Sequence, residues 1–197
     1  SVSRFGSPIE RITLRSKDGR PARLLPDIKD KINAADIITL GPGSLYTSVL
    51  STLGAEEFYE KLKAARAPIV YLNNIMSQPG ETDGYNAFDH VKAILDHTCP
   101  GFIDYCIVNS KTINTPLLRK YAEKDSEAVL LDEKRFEGSG IKLVKRDIVG
   151  LINNRYIRHD PEALADTIID IANREHHEAN DVSDEGVVLY RPQRRKR

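Results

Sequence analysis

One segment, Asp36-Ile-Ile-Thr-Leu-Gly-Pro-Gly-Ser-Leu-Tyr-Thr-Ser48, narrows the folds open to this chain more than its composition does. Residues 37–40 are a short apolar run without polar alternation, as in a strand buried on both faces. Gly41 and Gly43 let the chain turn sharply behind that strand and approach a ligand closely. Ser44, Leu45, Tyr46 and Thr47 then stand at a helix start, where backbone N–H groups lack intrahelical partners and attract an anion. Residues 73–90 repeat the arrangement: they leave a second apolar run at 69–72, are too polar to pack, and end at another helix start. Two such loops after two strands of one sheet lie side by side at its carboxyl edge, where open α/β sheets bind ligands. The pair points to a phosphorylated or nucleotide-like ligand.

The rest of the chain alternates strands and helices. Residues 9–25 carry short apolar runs around Lys17-Asp18-Gly19-Arg20, a hairpin signature. A helix is expected from Pro26 to about Ala34, another over 55–65, and a third over 87–96 with Asn86 as its cap. Thr115-Pro116 starts a fourth helix with proline at its first position. Further strands are expected at 103–108, 128–131, 141–144 and 156–157. The last helix is signalled best: Asp160 caps it, Pro161 takes the first position, and Leu164, Ile168 and Ile171 form its stripe. The class is α/β, a Rossmann-like three-layer sandwich with a mainly parallel sheet, spanning 1–175 as one nucleotide-binding domain. From His176 the pattern dissolves, and 176–197 reads as a polar, basic mobile tail ending in Arg191-Pro-Gln-Arg-Arg-Lys-Arg197.

Composition excludes several classes. With 29 basic and 29 acidic residues and 40% apolar content, the chain lacks the surface of a general nucleic-acid binder. No run approaches the roughly 20 apolar residues of a membrane span, and the N-terminus shows no signal pattern, so the cytoplasm is expected. Cys99 and Cys106 match no disulfide framework or zinc spacing, and no protein-built metal site is expected.

Each candidate residue carries two readings. The glycine turn is neither a Walker loop nor Gly-x-Gly-x-x-Gly, and can be a plain connection. In the second loop Gln78, Gly80, Glu81 and Thr82 can contact a ribose, sugar or base, since long polar loops in compact domains carry function. Asp89 is either a general base or the carboxylate half of a capping box with Asn86. His90 is either a base or a buried helix histidine. Arg158, His159 and the N–H groups after Asp160 can converge on one anion, or Arg158 can pair with a surface carboxylate. The terminal basic run is read as solvated.

Ala35-Asp36, Gly41-Pro-Gly-Ser-Leu-Tyr-Thr-Ser48, Asn74-Ile-Met76, Gln78-Pro-Gly-Glu-Thr82, Asp89-His90-Val91 and Arg158-His159-Asp160 occur in this order over about residues 9–175. Together they resemble the 2-phospho-lactate transferase-like (CofD/YvcK) family, most closely its bacterial, gluconeogenesis-factor branch. That branch implies binding of a UDP-sugar such as UDP-N-acetylglucosamine, with links to gluconeogenic growth, cell shape and wall synthesis. The transferase branch implies movement of a phospho-lactyl group from a GDP-linked donor to a deazaflavin hydroxyl, with Mg2+ held through ligand phosphates and Asp89 or His90 as catalytic groups. Under the resemblance Gly41, Gly43, Ser44 and their neighbours hold phosphate, Asn74 bonds ribose or sugar, and Arg158 with His159 neutralises a diphosphate. A homo-oligomer is left open. Family chains open with a strand and a GGGTG-type loop, and residues 1–40 contain none, so the chain is expected to lack the family's N-terminal glycine-rich half.

Overall fold

The computed structural model describes residue 9 and residues 11–14, 17–20, 23–153 and 155–184. Helix α1 (Pro26–Ala34) leads into strand β1 (Ile38–Leu40). Helix α2 follows the glycine turn; its first part, Leu45–Leu50, is a wide π-helical turn and its end, Ser51–Leu53, tightens to α. Then come α3 (Glu56–Lys63), β2 (Ile69–Leu72), α4 (Ala87–His97), β3 (Tyr105–Asn109), α5 (Thr115–Ala122) and a 3-10 turn at Glu133–Phe136. Strand β4 (Lys142–Arg146), the pair β5 (Val149–Ile152) and β6 (Tyr156–His159), and helix α6 (Pro161–Asp184) complete the order. Strands β1, β2, β3 and β4 lie side by side in that order, all parallel; β5 and β6 form a separate antiparallel pair.

Alternation along β2 separates the two faces. Ile69 and Tyr71 join Leu45, Val49, Leu50, Leu62, Val91 and Ile94 beneath α2, α3 and α4. Val70 and Leu72 join Ile107, Ile148, Leu164 and Ile171 beneath α6. Helices on both faces of a parallel sheet give the expected three-layer sandwich, and strands buried on both faces explain the unbroken apolar runs in the sequence. A third, smaller cluster of Ile75, Ile113 and Ile157 seats the β5–β6 pair beyond the carboxyl ends of the strands.

Four expectations change. Within 9–25 the turn is present, with Gly19 at φ +78° and Asp18 Oδ1 accepting from Arg20 N, yet the described residues there hold no strand. Its described residues also bond to the body: Ile12 N donates to His97 Nε2 at 3.1 Å and Leu24 N to Glu57 Oε2 at 2.7 Å. Residues 128–131 make only a bridge, Ala128 with Met76. Backbone groups of 127–130 go to the second polar loop, through Ser77 N to Glu127 O, Val129 N to Ile75 O and Ala87 N to Leu130 O. Strand β5 had no sequence signal, because it is short and holds Gly150, whose missing Cβ would lie 3.1 Å from Asp160 Cα. Finally, α6 continues through His176 to Asp184, since nothing there breaks a helix. Tyr105 Oη donates to Glu175 Oε1 at 2.5 Å, and His176 Nε2 lies 3.2 Å from Asp36 Oδ1, so Glu175 and His176 tie the helix to β3 and to the lead-in of β1. The basic run at 191–197 lies outside the described residues.

Candidate functional site

The glycine turn is a tight piece of backbone. Gly41 adopts φ +93° ahead of a cis bond to Pro42, and a Cβ there would sit 3.3 Å from Leu72 O. A side chain at this position therefore meets both a left-handed backbone and the carbonyl end of β2. A Cβ on Gly43 would lie 3.3 Å from Ser48 Cβ. Ser44 caps the helix that follows: its Oγ accepts from Thr47 N at 3.1 Å and from Thr47 Oγ1 at 2.6 Å. Its carbonyl accepts from both Ser48 N and Val49 N, which produces the wide first turn. Leu45 and Tyr46 are buried, so any ligand contact from Leu45 comes through its backbone.

Side chains tie this turn to the second loop. Ser44 Oγ donates to Glu81 Oε2 at 2.5 Å, and the hydroxyls of Tyr46 and Tyr85 are bonded at 2.7 Å. Burial, then the Tyr85 hydroxyl, raises the Tyr46 phenol well above its ordinary value, so Tyr46 stays neutral. The second loop shapes itself. Thr82 Oγ1 accepts from Gln78 N at 2.9 Å, Asp83 Oδ2 accepts from Gly80 N at 2.7 Å, and Gln78 O takes the amides of Glu81 and Thr82. Thr82 is fully buried and Glu81 half-buried.

The start of α4 is equally occupied. Asn86 and Asp89 form the capping box, with Asp89 Oδ2 accepting from Asn86 N at 2.9 Å. Asp89 Oδ1 takes Arg135 Nη1 at 2.7 Å. Both carboxylate oxygens are thus engaged by the fold. His90 is fully enclosed. Its Nδ1 lies 3.0 Å from Asn86 O, and a carbonyl only accepts, so Nδ1 carries the hydrogen and Nε2 holds a lone pair. Tyr85 meets the imidazole edge to face at 5.5 Å, and burial lowers the pKa of His90. Neither residue presents a free basic atom to solvent.

Around this corner several buried atoms have no hydrogen-bond partner: His90 Nε2, Asn73 Oδ1, Gln78 Oε1 and Tyr71 Oη. An unsatisfied buried polar atom costs about 1–3 kcal/mol, so such atoms are rare without a reason. They cluster at the end of β2 and in the helix and loop that follow it.

The third candidate region is arranged differently from the sequence expectation. His159 Nε2 donates to Asn73 O at 3.0 Å, which fastens β6 to the end of β2. Successive side chains of a strand face opposite ways. Ile157 is buried and His159 faces Asn73, so Arg158 between them points outward to solvent. Its Nη1 donates to Ile157 O at 2.7 Å. Asp160 Oδ1 accepts from Glu162 N and Ala163 N, capping α6. Guanidinium, imidazole and helix N–H groups therefore do not converge on one point; Arg158 stands on the outer face. Asn74, half-buried, follows Asn73 at the strand end. Asn73 was the residue the sequence reading passed over: it is buried and bonds Ala87 O through Nδ2 at 2.9 Å. The alternation of β2 places it on the Tyr71 face, and that was the signal to find it. Arg135, 46 residues from its partner Asp89, had no such signal.

Cys106 is buried beneath this corner, its thiol pushed up to about 12 by desolvation, and acts as an apolar packing residue.

The family model for 2-phospho-L-lactate transferase CofD matches residues 1–149. The chain belongs to the CofD family. Among its relatives, a putative gluconeogenesis factor of Thermoanaerobacterium thermosulfurigenes is 43% identical over 164 residues, covering 83% of this chain and 49% of the relative. The gluconeogenesis factor of Bacillus subtilis is 38% identical over 171 residues, covering 87% and 53%. A crystal structure of a UPF0052-family protein from Bacillus halodurans matches with a TM-score of 0.78 at 36% identity, covering 85% of this chain and 53% of that one. The chain thus spans about half the length of the CofD-family relatives it matches.

Proposed function

We propose that the chain is part of a nucleotide-sugar-binding regulatory protein of the gluconeogenesis-factor type, taking a UDP-sugar such as UDP-N-acetylglucosamine and linked to carbon metabolism and cell-wall and cell-shape control. The observation that carries the reading is the bond from Ser44 Oγ to Glu81 Oε2, which joins the two polar loops into one corner at the carboxyl edge of the sheet. In this reading the backbone of Gly41, Gly43 and Ser44–Thr47 receives phosphate, the loop holding Gln78, Gly80, Glu81 and Thr82 faces the sugar, and Asn74 bonds the ribose or sugar. The outward guanidinium of Arg158 folds over the diphosphate, and His159 holds β6 in place for it. Among the described residues no helix is long and apolar enough to cross a membrane. The gluconeogenesis-factor reading itself implies the cytoplasm.

The matched family's name supports a second reading, a 2-phospho-lactate transferase; in this reading it moves a phospho-lactyl group from a GDP-linked donor to a deazaflavin hydroxyl. Such a step asks mainly for positioning and neutralised charge, with a base near the accepting hydroxyl. Asp89 and His90 are the candidates, and their engagement by Asn86, Arg135 and burial favours the regulator. Mg2+ is implied for this chemistry. Among the described residues no three His, Cys, Asp or Glu gather to cage a metal. Mg2+ asks for less, one or two carboxylates with water and substrate phosphates. Glu81, beside the glycine turn, fits as that carboxylate, and a bound Mg2+ would offset phosphate charge there.

Calorimetric titration with UDP-N-acetylglucosamine and, in parallel, the GDP-linked lactyl donor tests both readings. Selective binding of the uridine sugar is expected. Preference for the guanosine compound moves the assignment to the transferase, and silence with both removes the nucleotide reading from this chain.

A further inference from the structure

We propose that His97 is a proton-operated tether: as a neutral ring it holds the backbone of residues 11–14 against the body of the fold, and as an imidazolium it releases that segment. The bonds at the ring carry the inference. His97 Nδ1 lies 2.7 Å from Ala93 O, and a carbonyl only accepts, so Nδ1 carries a hydrogen. Ile12 N donates to Nε2 at 3.1 Å, so Nε2 offers a lone pair. Both ring nitrogens are thus engaged in one tautomer of the neutral imidazole, and a second proton has only Nε2 to go to. There it meets the Ile12 N–H donor against donor, and the bond is lost. His97 is half-buried, which leaves the ring open to protons from solvent. Histidine is the side chain that ordinarily takes up such a proton between about pH 5 and 8.

The segment has other anchors, and they do not answer to that proton. Ile12 packs against the core cluster that includes Leu45, Tyr46 and Val49. A Cβ on Gly54, just past α2, would lie 3.3 Å from Leu14 N, so the bare glycine lets the chain run close over it. Leu24 N donates to Glu57 Oε2 at 2.7 Å. Lys29, then the Leu24 amide itself, holds the Glu57 carboxyl below its ordinary value. Glu57 therefore keeps its charge, and its hold on Leu24, while His97 gains a proton. Mild acid frees the segment at Ile12 and leaves it fastened at Leu24.

The surroundings of the ring offer no compensation. From α2 it meets Tyr46 edge to face, centroids 6.4 Å apart, and that phenol stays neutral. On its own helix the neighbouring Asp96 is paired with Lys92. From the segment, Arg11 flanks Ile12 with a further positive charge. Among the described residues no carboxylate pairs with His97 to replace the lost bond. Tyr46 also bonds Tyr85, so the tether and the bond between the two polar loops share one ring. The inference does not depend on which ligand that corner takes.

Amide hydrogen exchange on the full chain, read by NMR and corrected for the intrinsic effect of pH, tests it. Protection at Ile12 should fall at least about fivefold from about pH 8 to about pH 5, the scale of one lost hydrogen bond, in step with titration of the His97 ring. Protection at Ile28, whose N–H goes to Leu25 O, should stay level. His97→Gln supplies an acceptor of similar reach that takes no proton in this range, and should abolish the pH step at Ile12. His97→Phe keeps a ring against Tyr46 without the acceptor, and should leave Ile12 poorly protected at every pH. If the variants do not fold, the parent decides: the nitrogen shifts of its neutral ring should show the Nδ1–H tautomer, with Ile12 exchange following the ring. Protection at Ile12 that does not follow His97, an Nε2–H tautomer, or a folded His97→Gln that retains the parent's pH step overturns the proposal.

Discussion

The corner between β1 and β2 and the corner at β6 lie at the same end of the molecule but are finished to different degrees. At the first, two loops are locked by Ser44 with Glu81 and by Tyr46 with Tyr85, and the side chains of Thr82, Asp83, Asn86 and Asp89 are spent on backbone amides. At the second, His159 makes one bond into the body while Arg158 stands in solvent, bonded to its own neighbour's carbonyl. A preorganised pocket loses little entropy when a ligand arrives, whereas a long exposed cation loses rotamer freedom and gains an ionic bond. The first corner is suited to set shape, the second to supply charge.

The largest expected effect separates these roles. Arg158→Ala should weaken binding of a nucleotide diphosphate by about 1.5–3 kcal/mol, the range for hydrogen bonds to a charged partner, with no change in melting; calorimetry and thermal denaturation read the two, and unchanged affinity removes Arg158 from the site. Gly41→Ala should do the reverse, costing about 1–3 kcal/mol of stability through its φ of +93° and the Leu72 carbonyl. Urea unfolding checks it, and a variant as stable as the parent shows that the turn relaxes. Tyr46→Phe, Tyr85→Phe and the double variant form a cycle on the bond between the loops, with an expected coupling of about 0.5–1.5 kcal/mol. A coupling near zero means the loops are held by packing alone.

The smallest effect concerns pH. Burial holds both His90 and His159 below their ordinary 6.5. The unfolded chain then takes up protons first as pH falls, so stability is complete above about 6.5 and declines as pH drops through 6.5 toward the folded values. His90→Gln should flatten this decline in the urea midpoint more than His159→Gln, because His90 is fully enclosed and His159 only partly. Equal slopes would place the dependence elsewhere.

How much of this was legible in the sequence varies with the range of the interactions involved. Strand β2 and the start of α4, with its Asn86 and Asp89 box, were readable because an apolar run and a cap are local. Among the described residues of 9–25 no strand forms, because His97 and Glu57, far along the chain, take the amides of Ile12 and Leu24. The convergence of Arg158 and His159 failed on strand alternation, a local rule that applies once 156–159 is seen to be a full strand. The bond between Ser44 and Glu81, 37 residues apart, has no sequence signal, although each residue was individually visible as a loop donor or acceptor.

The second loop divides its labour residue by residue. Gly80, Thr82 and Asp83 fix its path from within, while the Glu81 carboxylate between them bonds across to Ser44 in the glycine turn. Position 81 is therefore a place where a lineage can change the sign of the pocket, from carboxylate to amide to cation, without redesigning the loop that presents it.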